Sequence, residues 1–152
     1  MRVRWHPRYF LRAESFYNLA SEIERIDGSD RQLINLAYGG TSPHEQSHGE
    51  SFLSLVVYRF GHHGLYILDE PEAALSVRGC MAVLSRITEL VDQECQFVIA
   101  THSPVLLALP GASIVQIEDS GRLVRVPYDD AMPVQLTRDF LAAPERYLRH
   151  LI

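Results

Sequence analysis

Leu65-Tyr66-Ile67-Leu68-Asp69-Glu70-Pro71 is the stretch on which the fold turns. An apolar run without polar alternation is the pattern of a strand buried on both faces, and such strands belong to parallel sheets. The run ends in two adjacent acids, and Pro71 then forces the chain out of the strand. Residues 76–91 follow with apolar side chains at helical spacing, and Gln96-Phe97-Val98-Ile99-Ala100 is a second buried strand. Strand, helix and covered strand in succession predict an α/β fold with a mostly parallel sheet.

Upstream, residues 8–13 read as extended, and residues 14–26 carry Phe16, Leu19, Ala20, Ile23 and Ile26 at helical spacing. Asp27-Gly28-Ser29-Asp30 is a turn signal, and residues 38–47 form a loop around Gly39-Gly40-Thr41-Ser42-Pro43. A helix is predicted from Ser47 to about Phe60, where Gly61-His62-His63-Gly64 ends it. Downstream, a short helix starts near Ser103-Pro104, with proline at a tolerated first-turn position. Residues 114–118 and 123–126 flank Asp119-Ser120-Gly121-Arg122 as a hairpin, and the tail from Val134 reads as helical.

The 152 residues amount to one domain on length alone. With 47% hydrophobic and 22% charged residues, the chain can bury a core. No apolar run approaches the roughly 18 residues of a membrane helix. The basic start MRVRWHPRYF has no apolar region or cleavage site after it, so the chain reads as a cytoplasmic globular protein. All 14 basic residues are arginine. The absence of lysine excludes Schiff-base chemistry, Ser–Lys dyads and a phosphate-loop lysine within these residues. A net charge of −5 argues against broad nucleic-acid binding. Arg2, Arg4, Arg8 and Arg12 with His6, and Arg138, Arg146 and Arg149, read as solvated surface charge. Cys80 and Cys95 show neither metal spacing nor a disulfide framework, and read as buried small residues.

Adjacent acids at the carboxyl edge of a parallel strand lie where α/β folds bind ligands. In a nucleotide hydrolase the first holds Mg²⁺ and the second orients and deprotonates the attacking water; Asp69 and Glu70 stand in those positions. The second strand leads to Thr101-His102, and a neutral imidazole at that edge can hydrogen-bond a γ-phosphate. Ser47-His48-Gly49-Glu50 reads as a capping box at a helix start. The same helix N-terminus, with Gly49 allowing close approach, suits an anion. His44, His48, His62 and His63 are given no shared face by the sequence, and Asp129-Asp130 reads as solvated.

Ser-His-Gly-Glu opening a helix, a strand ending Leu-Asp-Glu-Pro, then Glu-Ala-Ala-Leu-Ser and Ala-Thr-His-Ser-Pro, resembles the C-terminal half of ABC-type P-loop ATPases. The likeness runs over residues 9–118 and is nearest the soluble ATPases often labelled AAA-family, rather than transporter subunits. It implies a three-layer P-loop fold, here incomplete at its N-terminus, within a single domain over residues 1–152. It implies ATP and Mg²⁺ as cofactors, with Asp69 as the Walker B metal residue, Glu70 as catalytic base and His102 as switch histidine. Residues 72–76 would match the D-loop. Ser47, Gly49 and Glu50 would form the signature that closes over ATP held by another subunit. His48 stands where transporters carry glycine, and Ser76 where many relatives carry aspartate.

The family's G-x-x-x-x-G-K-[ST] loop is absent from these residues. Its amides and lysine supply most of the grip on the β- and γ-phosphates. The expectation is therefore the later part of an ATPase, inactive alone, either as a homodimer or beside a subunit that carries the loop. A non-catalytic partner presenting its signature to a full-length ATPase is the alternative. Metal-dependent hydrolysis without nucleotide ranks last, because the sequence identifies no third ligand. A sheet lacking its first strand also exposes an edge, which predicts association.

Overall fold

The computed structural model describes residues 8–12 and 48–149, apart from the side chains of Arg8 and His48. The predicted helix at 14–26, the turn at 27–30, the loop at 38–47 and Ser47 lie outside the described residues. The chain divides into two compact units, residues 1–101 and 102–152.

The first unit contains β1 (Arg8–Arg12), α1 (His48–Arg59), β2 (Leu65–Asp69), a 3₁₀ turn (Pro71–Ala74), α2 (Val77–Asp92) and β3 (Gln96–Ala100). Its strands form a parallel sheet in the order β1-β2-β3, with Arg12 opposite Asp69 and Asp69 opposite Ala100. Both connections step in the same direction across the sheet, and the usual right-handed crossover sends both helices to one face. α1 and α2 pack against each other, burying Phe52, Leu55, Val56, Val83, Ile87 and Leu90. The α/β class and the parallel core agree with the sequence reading.

Burial on both faces does not. Tyr66 and Leu68 are fully buried, whereas Ile67 on the opposite face is 37% exposed and its neighbours Phe10 and Val98 are 66% and 53% exposed. Both described helices of this unit cover the same side and leave uncovered the apolar row Phe10–Ile67–Val98, in register across the sheet. The uniform apolar pattern of these strands reflects a face that asks for a cover.

Local chemistry explains the boundaries. The Ser76 hydroxyl accepts from the Gly79 amide at 3.1 Å and caps α2. After α1, the chain turns around the Tyr66 phenol, which donates to the Gly61 carbonyl and accepts from the Gly61 amide, both at 2.8 Å. Cys95 adds a thiol bond to the same carbonyl at 3.1 Å. Cys95 and Cys80 are both buried, as the sequence reading expects. The Tyr66 ring stacks on Phe60 at 4.1 Å, Phe97 at 5.0 Å and Tyr9 at 5.7 Å.

Burial pushes the Tyr66 phenol up from 10.0 to about 12. A pKa raised by folding means that the unfolded chain ionises first. The stability Tyr66 contributes is therefore complete below pH 10 and is lost as the pH climbs towards 12. Tyr66→Phe is expected to cost about 1–3 kcal/mol at neutral pH, because the Gly61 amide loses its acceptor, and to flatten this alkaline decline. Urea midpoints measured from pH 8 to 11 check both effects.

The second unit contains α3 (Pro104–Leu107), β4 (Ile114–Ile117), β5 (Leu123–Val126), a 3₁₀ turn (Tyr128–Asp130), α4 (Met132–Ala142) and α5 (Pro144–Leu148). β4 and β5 pair antiparallel, with Ile117 opposite Leu123. Gly121 at φ 79° makes the hairpin turn, and Arg122 grips Glu118 through two bonds at 3.0 and 3.2 Å. Leu106, Ala131 and Val134 form the buried centre. Arg138 pairs with Asp129 at 2.7 Å at the surface, in keeping with the solvated reading of both. The predicted tail helix begins earlier than Val134 and is split at Pro144. Among the described residues, no helix is long and apolar enough to cross a membrane.

Candidate functional site

The parallel register brings Arg12, Asp69 and Ala100 level at the carboxyl edge of the sheet. Asp69 is the last residue of β2, and its Oδ2 accepts from Arg12 Nε at 2.8 Å. Glu70 follows in a left-handed conformation (φ 48°, ψ 50°), while its amide still donates to the Ala100 carbonyl at 2.9 Å. The backbone thus completes the ladder and then turns sharply, leaving the Glu70 residue exposed. Proline at position 71 disfavours a right-handed helical conformation at Glu70, which is the local reason for this turn.

A non-glycine residue at positive φ is uncommon and costs about 1–2 kcal/mol. Glu70→Gly is therefore expected to be more stable than Glu70→Ala by about 1 kcal/mol, the released strain exceeding the extra freedom of glycine. Paired denaturant titrations check the difference.

The early turns of α1 and α2 meet the loop between β2 and α2 around an open cleft of about 480 Å³. Gly49, Glu50, Ala74, Leu75, Ser76 and Arg78 are among its lining residues. A Cβ on Gly49 would stand 3.1 Å from the Ala74 carbonyl oxygen, so the close approach of α1 to this loop needs a small residue there. Gly49 and Glu50 are thereby brought beside Ala74, Leu75 and Ser76. Ser47 lies outside the described residues, and the His48 side chain is not described. His102, exposed at the surface, belongs to the second unit. His63 pairs with Glu94 at 2.9 Å at the other end of β2, away from the acids.

The sequence reads Arg12 as surface charge, whereas the fold pairs it with Asp69. The available signal was positional: Arg12 closes an extended run as Asp69 closes the next strand. Only the register makes them neighbours.

Magnesium takes an octahedral set of oxygens, commonly one or two carboxylates with waters and substrate phosphates. Among the described residues no group of three or more His, Cys, Asp or Glu could hold a metal ion, and the Asp69 carboxylate is engaged by Arg12. These residues do not make a magnesium site by themselves.

No family model matches the chain. An "Uncharacterized ABC transporter ATP-binding protein" of Haemophilus influenzae is 27% identical over 110 residues. The match covers 71% of this chain and 42% of that protein, so the chain spans less than half the length of the relative. The similarity supports an ABC ATPase-related origin for the chain.

Proposed function

We propose that the chain is the signature and Walker B portion of an ABC-type ATPase, of the soluble kind, whose phosphate-binding loop comes from outside these 152 residues. The observation that carries this reading is the pair Asp69-Glu70 at the carboxyl edge of a central parallel strand, where α/β sheets bind ligands. In the proposed reaction, ATP is hydrolysed to ADP and phosphate. Glu70 orients the attacking water and takes its proton, and His102 is the switch histidine by resemblance alone. Ser47, Gly49 and Glu50 close over a nucleotide held by the other subunit, with the amides of α1 facing its phosphates. Asp69 is the metal position by resemblance, and Arg12 holds its carboxylate.

Positioning and electrostatic stabilisation of the phosphates carry most of such catalysis. The isolated chain is therefore expected to show no ATP hydrolysis above buffer, and Glu70→Gln to be indistinguishable from it. Turnover by the isolated chain that Glu70→Gln abolishes would overturn the reading.

The open row of Phe10, Ile67 and Val98 and the free outer edge of β3 among the described residues support association, either with a second copy or with a subunit carrying the loop. Size-exclusion with light scattering is expected to show a dimer or larger species. A monodisperse 17.3 kDa particle would count against self-association. In the non-catalytic alternative this chain only presents Gly49 and Glu50 to a complete ATPase. Loss of activity on Glu70→Gln in the assembled complex separates the two, since a purely presenting subunit needs no base.

A further inference from the structure

Arg12 and Asp69 are direct neighbours on adjacent strands, on the sheet face that leaves Phe10, Ile67 and Val98 open. Their contact at 2.8 Å is a charge-assisted hydrogen bond between a guanidinium that stays ionised and a carboxylate. The Asp69 side chain is 32% exposed and that of Arg12 is 54% exposed. Solvent screens a pair of this kind, so it adds little to stability. Its position matters more. A divalent cation approaching Asp69 meets a fixed positive charge already on the carboxylate, and even the screened repulsion at contact distance is enough to lower its affinity about tenfold. β1 is the outer strand of the described sheet, so Arg12 can swing to solvent without breaking the ladder.

We propose that Arg12 is the resident counter-cation of Asp69, taking the place that the resemblance gives to a divalent cation and keeping the carboxylate from attracting one while the pair is closed. The inference rests on the reading of Asp69 as the metal-position carboxylate.

The test is Mn²⁺ added to ¹⁵N-labelled chain without nucleotide, with paramagnetic broadening read at the amides of Asp69, Glu70 and Ala100. The wild type is expected to show no selective broadening there. Arg12→Gln should broaden these amides about tenfold more at the same Mn²⁺ concentration, because one unit of like charge has been removed. Arg12→Met, which keeps the aliphatic stem, should behave the same way and serves if Arg12→Gln folds poorly. Arg12→Lys should stay as quiet as the wild type, and Asp69→Asn placed in the Arg12→Gln background should remove the effect.

Broadening of the wild type equal to that of Arg12→Gln overturns the proposal. So does a folded Arg12→Gln or Arg12→Met that stays quiet, an Arg12→Lys that broadens, or broadening that survives Asp69→Asn. Nucleotide binding by the isolated chain would instead strike at the proposed function, and leaves these amide readouts unaffected.

Discussion

Gly64→Ala is expected to destabilise the chain by about 3 kcal/mol or more, at the upper end of what overpacking costs. The added methyl would lie 2.4 to 2.6 Å from three atoms of Tyr66, Cε2, Cζ and the phenol oxygen. Clashes of that size are relieved only if the neighbour moves, and this ring cannot. It is fully buried, stacked against Phe60, Phe97 and Tyr9, and tied through its hydroxyl to both polar groups of Gly61. Displacing it would open the aromatic centre under the sheet and strand the Gly61 amide. Domains of this size are held by roughly 5–15 kcal/mol, so the variant should melt far below the wild type or fail to accumulate. Circular dichroism melting and urea midpoints measure the loss. A cost under about 1 kcal/mol would show that the Tyr66 ring is not fixed as described.

Phe52→Ala is the second large effect, with an expected cost of about 3–5 kcal/mol. Phe52 is fully buried on α1, in the helix that packs on α2. Truncation removes the transfer free energy of the ring and leaves a cavity that two packed helices cannot close. The consequence reaches the site, because α1 also carries Gly49 and Glu50 against the Ala74–Leu75 backbone. Phe52→Leu, which fills much of the volume, should recover more than half of the loss. Denaturant titrations with an unchanged slope would attribute the change to the native state.

Much of this architecture was legible in the sequence because periodicity and punctuation agreed. Helical spacing over 76–91 matches Val77–Asp92, and the apolar run at 96–100 matches β3. The glycines at 61 and 64 mark the break before β2, and Asp119-Ser120-Gly121-Arg122 marks the hairpin turn. Other features depend on how strands align in space. An apolar run such as Leu65–Leu68 looks the same whether one or two of its faces are covered, so the exposure of Ile67 was not readable. The Arg12–Asp69 pair depends on register, which neither strand encodes alone. The left-handed turn at Glu70 had one local signal, the following proline, and the short 3₁₀ turns at 71–74 and 128–130 had none long enough for a period to form. At the site, Asp69, Glu70 and Gly49 were visible as motif residues, whereas the guanidinium that holds Asp69 was not.

The most direct test of the account is a calorimetric titration of Mg-ATP into the purified chain, with Glu70→Gln run in parallel. If the phosphate loop comes from elsewhere, neither sample will give a saturable isotherm with millimolar nucleotide. Saturable binding in the micromolar range would contradict the account, because it would mean that a chain without lysine grips the phosphates by itself.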